Sequence, residues 1–158
     1  MLFTGIYELS VDPKNRLSIP SSIRAGLDPE KDGTNFYVVP GRQPGTLKLY
    51  SDKHFVRYAE ECHRSLEPGR TKDEYEMIYF ALATYCEVDS QGRILLPSWA
   101  MEKVGIGKQV TLTGAYDHLL LWNREDAKRF FEQNWTRHAD LHDLARRESK
   151  PTPSAAEA

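Results

Sequence analysis

Val11-Asp12-Pro13-Lys14-Asn15-Arg16-Leu17-Ser18-Ile19-Pro20 recurs later in the chain as Val88-Asp89-Ser90-Gln91-Gly92-Arg93-Ile94-Leu95-Leu96-Pro97. Both stretches read apolar-Asp-x-x-x-Arg-apolar-x-apolar-Pro. A second correspondence follows in the same order: Leu47-Lys48-Leu49-Tyr50-Ser51-Asp52 matches Leu119-Leu120-Leu121-Trp122-Asn123-Arg124. Two matches in register mark an internal duplication. Within each copy, residues 6–12 and 84–89 are rich in β-formers and predict strands. A tight turn follows, with Asn15 and Gly92 in equivalent places. These two residue types tolerate positive φ, so one turn geometry serves both copies. A short strand then runs through Arg16 to Ile19 and through Arg93 to Leu96. Pro20 and Pro97 end those strands and suit the first turn of the helical segments Ser21–Gly26 and Ser98–Val104.

Working outward, each copy continues with two strands, 36–40 with 46–50 and 109–113 with 118–122, joined by Gly-Arg-Gln-Pro-Gly and Gly-Ala-Tyr-Asp loops. Ser51 and Asn123 stand at N-cap positions. The helix after Ser51 carries Phe55, Tyr58, Ala59, Cys62 and Leu66 at spacings of three and four. The helix after Asn123 carries Ala127, Phe130, Phe131, Trp135 and His138 in the same manner. Glu67-Pro68-Gly69-Arg70 breaks the chain, and Thr71-Lys72-Asp73-Glu74 opens a helix running on toward Tyr85. The expected layout is a first repeat over 5–53, a helical connector over 54–82 and a second repeat over 83–126. A C-terminal helix over 127–145 and a disordered polar tail over 146–158 complete it. The class is mainly β with flanking α-helices.

Composition sets the limits. The chain has 158 residues, 40% hydrophobic and 28% charged, which is the ordinary range of a folded domain. Its apolar runs are too short to span a bilayer and its N-terminus lacks a secretory pattern, so a cytoplasmic protein is expected. The two cysteines, Cys62 and Cys86, are too few for a disulfide framework and too far apart for a metal pair. His138 and His142 share a helical face without the Glu that a zinc-protease helix uses. Asp12 and Asp89 invite comparison with an aspartic-protease dyad, but each has an Arg four residues on that would hold it ionised. There is no phosphate-cradling Gly-rich loop and no nucleophile elbow. The sequence therefore predicts no catalytic residues, metal, cofactor or small-molecule substrate. Trp99, Trp122 and Trp135 are expected in cores or subunit seams.

Positive charge gathers at the first motif. Lys14, Arg16 and Arg24 lie between Pro13 and Arg24 with no acid among them, beside Asn15 and small hydroxyl residues. An exposed turn of this kind suits DNA: Lys and Arg meet phosphates, Arg can be bidentate to guanine and Asn to adenine. Gln91 and Arg93 form a less basic counterpart. Asp12, Asp89 and Gly92 are expected to shape the turns, each Asp facing the Arg four residues on. The net charge of −2 is no obstacle, because phosphate binding depends on where positive charge is concentrated.

The paired Asp-x-x-x-Arg-apolar-x-apolar-Pro motifs, the strand pair after each and the repeat length resemble the MraZ family of bacterial transcriptional regulators, within the wider SpoVT-AbrB swapped-hairpin group. The resemblance covers about residues 1–135. It implies two interlocked hairpin copies forming one swapped-hairpin β-barrel. It also implies a ring-shaped homo-oligomer that binds repeated boxes of double-stranded DNA upstream of the cell-division and cell-wall gene cluster, hence a nucleoid association. Asn15 stands where the family's first motif usually has Gly, and the loop at 28–35 and the chain after Trp135 look particular to this sequence. Two other readings stand beside it: a ring scaffold with the same fold and no specific DNA binding, and a toxin-neutralising antitoxin of the same superfamily. The duplication argues against the last.

Overall fold

Both Asp-to-Arg stretches close on themselves before they pair with anything else. The Asp12 N–H donates to the Arg16 carbonyl at 3.0 Å and the Asn15 N–H to the Asp12 carbonyl at 3.0 Å; the second copy repeats this with Asp89, Arg93 and Gly92 at 2.8 and 2.9 Å. Asn15 has φ 62° and Gly92 φ 79°, so the two turns share the left-handed conformation expected of them. The computed structural model that shows this describes residues 1–149.

Beyond the turns, the copies exchange strands. β1 (Ile6–Ser10), β3 (Phe36–Pro40) and β4 (Thr46–Ser51) come from the first copy; β5 (Thr84–Cys86), β7 (Gln109–Gly114) and β8 (Leu119–Asn123) come from the second. They form one antiparallel sheet in the order β1-β7-β8-β4-β3-β5. Each copy's first strand thus lies on the other copy's hairpin, β1 on β7 and β5 on β3, and β4 meets β8 at the centre. β2 (Arg16–Ser18) and β6 (Arg93–Leu95) pair with each other as a separate two-stranded ribbon, Leu17 opposite Ile94. Among the described residues the hydrogen-bonded ladder stays open rather than closing into a barrel, with β1 and β5 as its edges. Helices hold 44% of the described structure and strands 26%.

Alternation along the strands sends side chains to two layers. Toward the ribbon, Phe36, Val38, Leu47, Leu49, Leu119 and Leu121 join Leu17, Ile19, Ile94 and Leu96 in one core fed by both copies. Short helices α1 (Ser21–Gly26) and α4 (Ser98–Val104) add Ile23, Ala100 and Met101 to it. On the far face Val39 and Tyr50 pack with Phe55 of α2 (Asp52–Ser65), and Tyr79 and Phe80 of α3 (Arg70–Leu82) lie against them. The stripe on α2 therefore covers its own sheet. α3 stops at Leu82, short of Tyr85, because Thr84–Cys86 are taken into the sheet beside β3. Cys86 is buried, which pushes its thiol up to about 11, and Cys62 is half-buried; both are free.

The expected N-caps work differently. Ser51 is the last residue of β4, 1% exposed, and its hydroxyl makes no cap bond to α2. Carbonyls of the 28–35 loop do that work, Asn35 accepting from the Asp52 N–H at 2.9 Å and Asp32 from the Lys53 N–H at 3.1 Å. Asn123 turns its amide to the loop before β7, accepting from the Gly107 N–H and donating to the Gly105 carbonyl, each at 2.8 Å.

Met1–Arg124 forms one compact unit and the chain from Glu125 a second. The single C-terminal helix expected over 127–145 is two helices, α5 (Arg124–Asn134) and α6 (His138–Glu148), with a 3₁₀ turn over Trp135–Arg137 between them. At the break the Asn134 side chain donates back to the Phe130 carbonyl at 2.7 Å. Arg146 to Glu148 finish α6 and Ser149 bonds back to the Ala145 carbonyl, while 150–158 of the tail expected to be disordered lie outside the described residues. Of the three tryptophans only Trp122 is buried; Trp99 is 42% and Trp135 74% exposed. No helix among the described residues is long and apolar enough to cross a membrane.

Two substitutions test this frame. Leu17→Ala, at a fully buried ribbon position, should cost about 2–5 kcal/mol in urea unfolding. Gly92→Ala should cost about 1–3 kcal/mol and Gly92→Asn clearly less, because Asn tolerates the left-handed conformation. Equal losses for the two would mean that crowding under Arg24, rather than φ, fixes the glycine.

Candidate nucleic-acid interface

Each turn is built around one carboxylate. Asp12 Oδ1 accepts from the Lys14 and Arg16 N–H groups at 3.0 and 2.8 Å, and Asp12 Oδ2 accepts from Arg16 Nε at 2.6 Å. Asp89 repeats the pattern with the Gln91 and Arg93 N–H groups at 2.9 and 3.0 Å and with Arg93 Nε at 3.0 Å. The backbone bond from Arg16 is the main cause that lowers the Asp12 carboxyl below its ordinary 3.8. The backbone bond from Arg93 does the same for Asp89. Both aspartates are thus engaged in shaping their turns, and neither is free to share a proton with its twin. In both arginines the carboxylate holds Nε, which leaves the two terminal nitrogens of the fork for another partner.

The turns then lock together. The Ile19 N–H donates to the Gly92 carbonyl at 2.9 Å and the Leu96 N–H to the Asn15 carbonyl at 2.8 Å. Each positive-φ residue therefore receives the end of the other copy's short strand. This sets the β2–β6 ribbon between the turns, one at each end, with Leu17 and Ile94 inward. Arg16, Ser18, Arg93 and Leu95 share the outward face, Arg16 opposite Leu95 and Ser18 opposite Arg93. Arg16 and Arg93 are diagonal neighbours on that face.

Some residues stand elsewhere than the sequence suggests. Arg24 follows the first motif in the chain but serves the second turn. Its Nε donates to the Ile19 carbonyl at 3.0 Å, and its guanidinium lies where a Cβ on Gly92 would fall. At the first turn the extra cation is Lys108, whose Nζ donates to the Asp12 carbonyl at 3.3 Å and to the Asn15 side-chain oxygen. The second motif is accordingly less poor in charge than its own sequence implies: Lys14 and Lys108 attend one turn, Arg24 the other. Lys108 holds the Asn15 oxygen through one lone pair and so orients the side-chain amide at the turn. Leu95, 62% exposed on the same face, was not singled out from the sequence. Leu95 was legible, since the residue after a buried strand position faces the other way. Lys108 was not, because it lies far from Asn15 in the chain.

Comparison with known proteins identifies the family. The family model described as "MraZ protein, putative antitoxin-like" matches residues 79–147. The transcriptional regulator MraZ of Clostridium beijerinckii is 32% identical over 135 residues, 84% of this chain and 89% of that protein. That of Heliobacterium modesticaldum is 30% identical over 132 residues, covering 84% and 88%. The chain belongs to the MraZ family. The MraZ regulator of Mycoplasmoides gallisepticum, 29% identical over 140 residues, extends the match to 89% of the chain and 94% of that protein. MraZ relatives are thus matched across both copies, not only over the second one that the family model covers.

The turns carry a pH signature. Above 3.8 both aspartates are ionised in the folded and the unfolded chain, and their stabilisation is complete. As pH falls below about 4 the unfolded chain takes up protons first, and the contribution is lost through the lower folded values. Thermal unfolding should weaken over that range, and Asp12→Asn should lower stability at neutral pH while flattening the acid limb. An unchanged acid limb in that variant would remove Asp12 from the turn's framework.

Proposed function

We propose that this chain is a sequence-specific DNA-binding transcriptional regulator that offers the β2–β6 ribbon and its two turns to the major groove. The observation that carries this reading is the ribbon's outward face, with Arg16 and Arg93 together and both forks open at their terminal nitrogens. A two-stranded ribbon fits the width of the major groove, and an Arg fork suits the O6 and N7 acceptors of guanine. Lys14, Asn15, Gln91 and Arg24 flank the ribbon at its ends, where phosphates run along the groove. Leu95 supplies an apolar contact suited to a thymine methyl. The ion pairs to Asp12 and Asp89 hold the forks in place, so less side-chain freedom is lost on binding.

The names of the MraZ relatives, transcriptional regulators, support the same function and favour no enzymatic one. The target we assign is repeated boxes upstream of a cell-division and cell-wall gene cluster, including this gene's own promoter. One ribbon spans three residues in each strand, roughly 10 Å, which is enough for a few base pairs. Specific binding then calls for several copies engaging several boxes, their weak contacts summing through effective concentration. A ring-shaped homo-oligomer acting in the cytoplasm on nucleoid DNA meets that need and reconciles it with a subunit of net charge −2. The scaffold reading accounts for the Asp–Arg pairs as turn supports but gives the outward terminal nitrogens of Arg16 and Arg93 no partner.

A gel-shift titration on the region upstream of the gene, against scrambled DNA, tests the reading. Arg16→Ala should cost roughly 1–3 kcal/mol per site and relax specificity, with Arg93→Ala a weaker version of the same loss. Lys14→Ala should weaken all sequences alike and reduce the salt slope by about one. Melting curves and oligomer size should stay near those of the parent. Normal operator binding by Arg16→Ala, in a folded protein, would sink the site assignment. Light scattering should give a mass well above that of a dimer of the 18.1 kDa chain; a clean monomer at micromolar concentration would refute the assembly.

A further inference from the structure

Across the sheet from the ribbon, the α2–α3 hairpin leaves a cavity of about 420 Å³ beside β4 and the β3–β4 loop. Lys48 of β4, Arg42 of the loop, Tyr58 of α2, and Tyr75 and Tyr79 of α3 line it, and no carboxylate does. Neither cation forms an ion pair or hydrogen bond among the described residues; Lys48 Nζ lies 5.9 Å from the centroid of the Tyr50 ring. Lys48 is half-buried in β4, one of the sheet's two central strands, so its ammonium gives up hydration with no anion in return. The site wants negative charge.

The phenols fit the same ligand. Burial is the first cause raising Tyr58, to about 12, with its hydrogen bond to Cys62 adding to it; burial likewise raises Tyr79 and Tyr75. All three hydroxyls therefore stay protonated and can donate. Their rings form flat walls: Tyr75 stacks on Tyr79 at 5.4 Å and 13°, and Tyr58 on Tyr50 at 5.4 Å and 14°. An arginine fork, an ammonium and phenolic donors together make charge-assisted bonds to phosphate oxygens. The volume lies in the range of small-molecule sites.

We propose that this cavity binds a phosphorylated small molecule with a flat ring, of nucleotide size. Arg42 and Lys48 hold the phosphate, and the tyrosine walls of α2 and α3 take the ring. The ligand is an effector rather than a substrate, since nothing lining the cavity offers a nucleophile or a base poised for catalysis. The proposal stands apart from the DNA reading. Lys48 and the buried pair Leu47 and Leu49 project from opposite faces of the same strand, so ligand contact and ribbon core share β4.

Calorimetric titration of the full chain at physiological salt, with ADP, UDP, pyrophosphate, inorganic phosphate and adenosine, tests it. ADP or UDP should bind with a Kd below about 1 mM, pyrophosphate several-fold more weakly and adenosine more weakly still. Arg42→Gln, on an exposed loop, and Lys48→Gln should each weaken the nucleotide at least tenfold, with circular dichroism and melting unchanged for Arg42→Gln. Tyr79→Phe should weaken it several-fold. Arg16→Ala should leave it unchanged, whatever that variant does to DNA. Failure of every phosphate probe to bind below about 1 mM, or unaltered binding by folded Arg42→Gln, would overturn the site. Loss of nucleotide in Arg16→Ala would move the binding to the ribbon and equally overturn it. Pyrophosphate binding as tightly as ADP and UDP would overturn the ring half of the assignment.

Discussion

Two reciprocal hydrogen bonds, from Ile19 to the Gly92 carbonyl and from Leu96 to the Asn15 carbonyl, hold this molecule's two copies in register. Each requires a residue at positive φ, so that the turn's carbonyl faces the strand of the other copy. Once these bonds form, Leu17 and Ile94 meet back to back, and the residues on either side are forced outward by alternation. The core beneath and the face above therefore come from one geometric decision. Asp12 and Asp89 enforce that decision locally by binding two backbone N–H groups and a guanidinium each.

The same lock redistributes charge. Sequence proximity assigns Lys14, Arg16 and Arg24 to one basic cluster, but the exchange of strands carries Arg24 to Gly92 and brings Lys108 to Asn15. A chain whose copies folded separately would have one strongly basic turn and one poor one. The intertwined chain evens them out. That matters for a partner with two similar strands of phosphate, which calls for cations at both ends of the ribbon rather than at one.

What could be read from the sequence follows from the range of each signal. The turns were legible because Asp, Arg and a positive-φ residue act within five positions, and their repetition supplied an internal control. Short helices after Pro20 and Pro97 and the hairpins that follow were legible for the same reason. Strand partners were not, since Ile6–Ser10 carries nothing that names β7; the family resemblance, not periodicity, anticipated the exchange. Ser51 and Asn123 sat where caps belong, yet Asn35 and Asp32 carbonyls reached α2 first and the Asn123 amide found Gly105 and Gly107. Capping is decided by whichever acceptor arrives, and loop carbonyls leave no mark in the sequence. Lys108 and the approach of Arg24 to Gly92 left no mark for the same reason as the strands: Asn15 and Gly92 lie in the other copy.

The exchange of strands also sets a timetable for biosynthesis. β1 is made well before β7, its ladder partner among the described residues, which is translated about a hundred residues later, roughly 5–20 s at usual rates of synthesis. Through that interval Leu17 and Ile19 lack the second copy's half of their core, and the ribbon cannot begin until Arg93–Leu95 has emerged. Folding of the first copy therefore waits for the second. A first copy waiting in that state presents the open strand positions that a second chain of the same sequence could fill, the general hazard of an exchanged element.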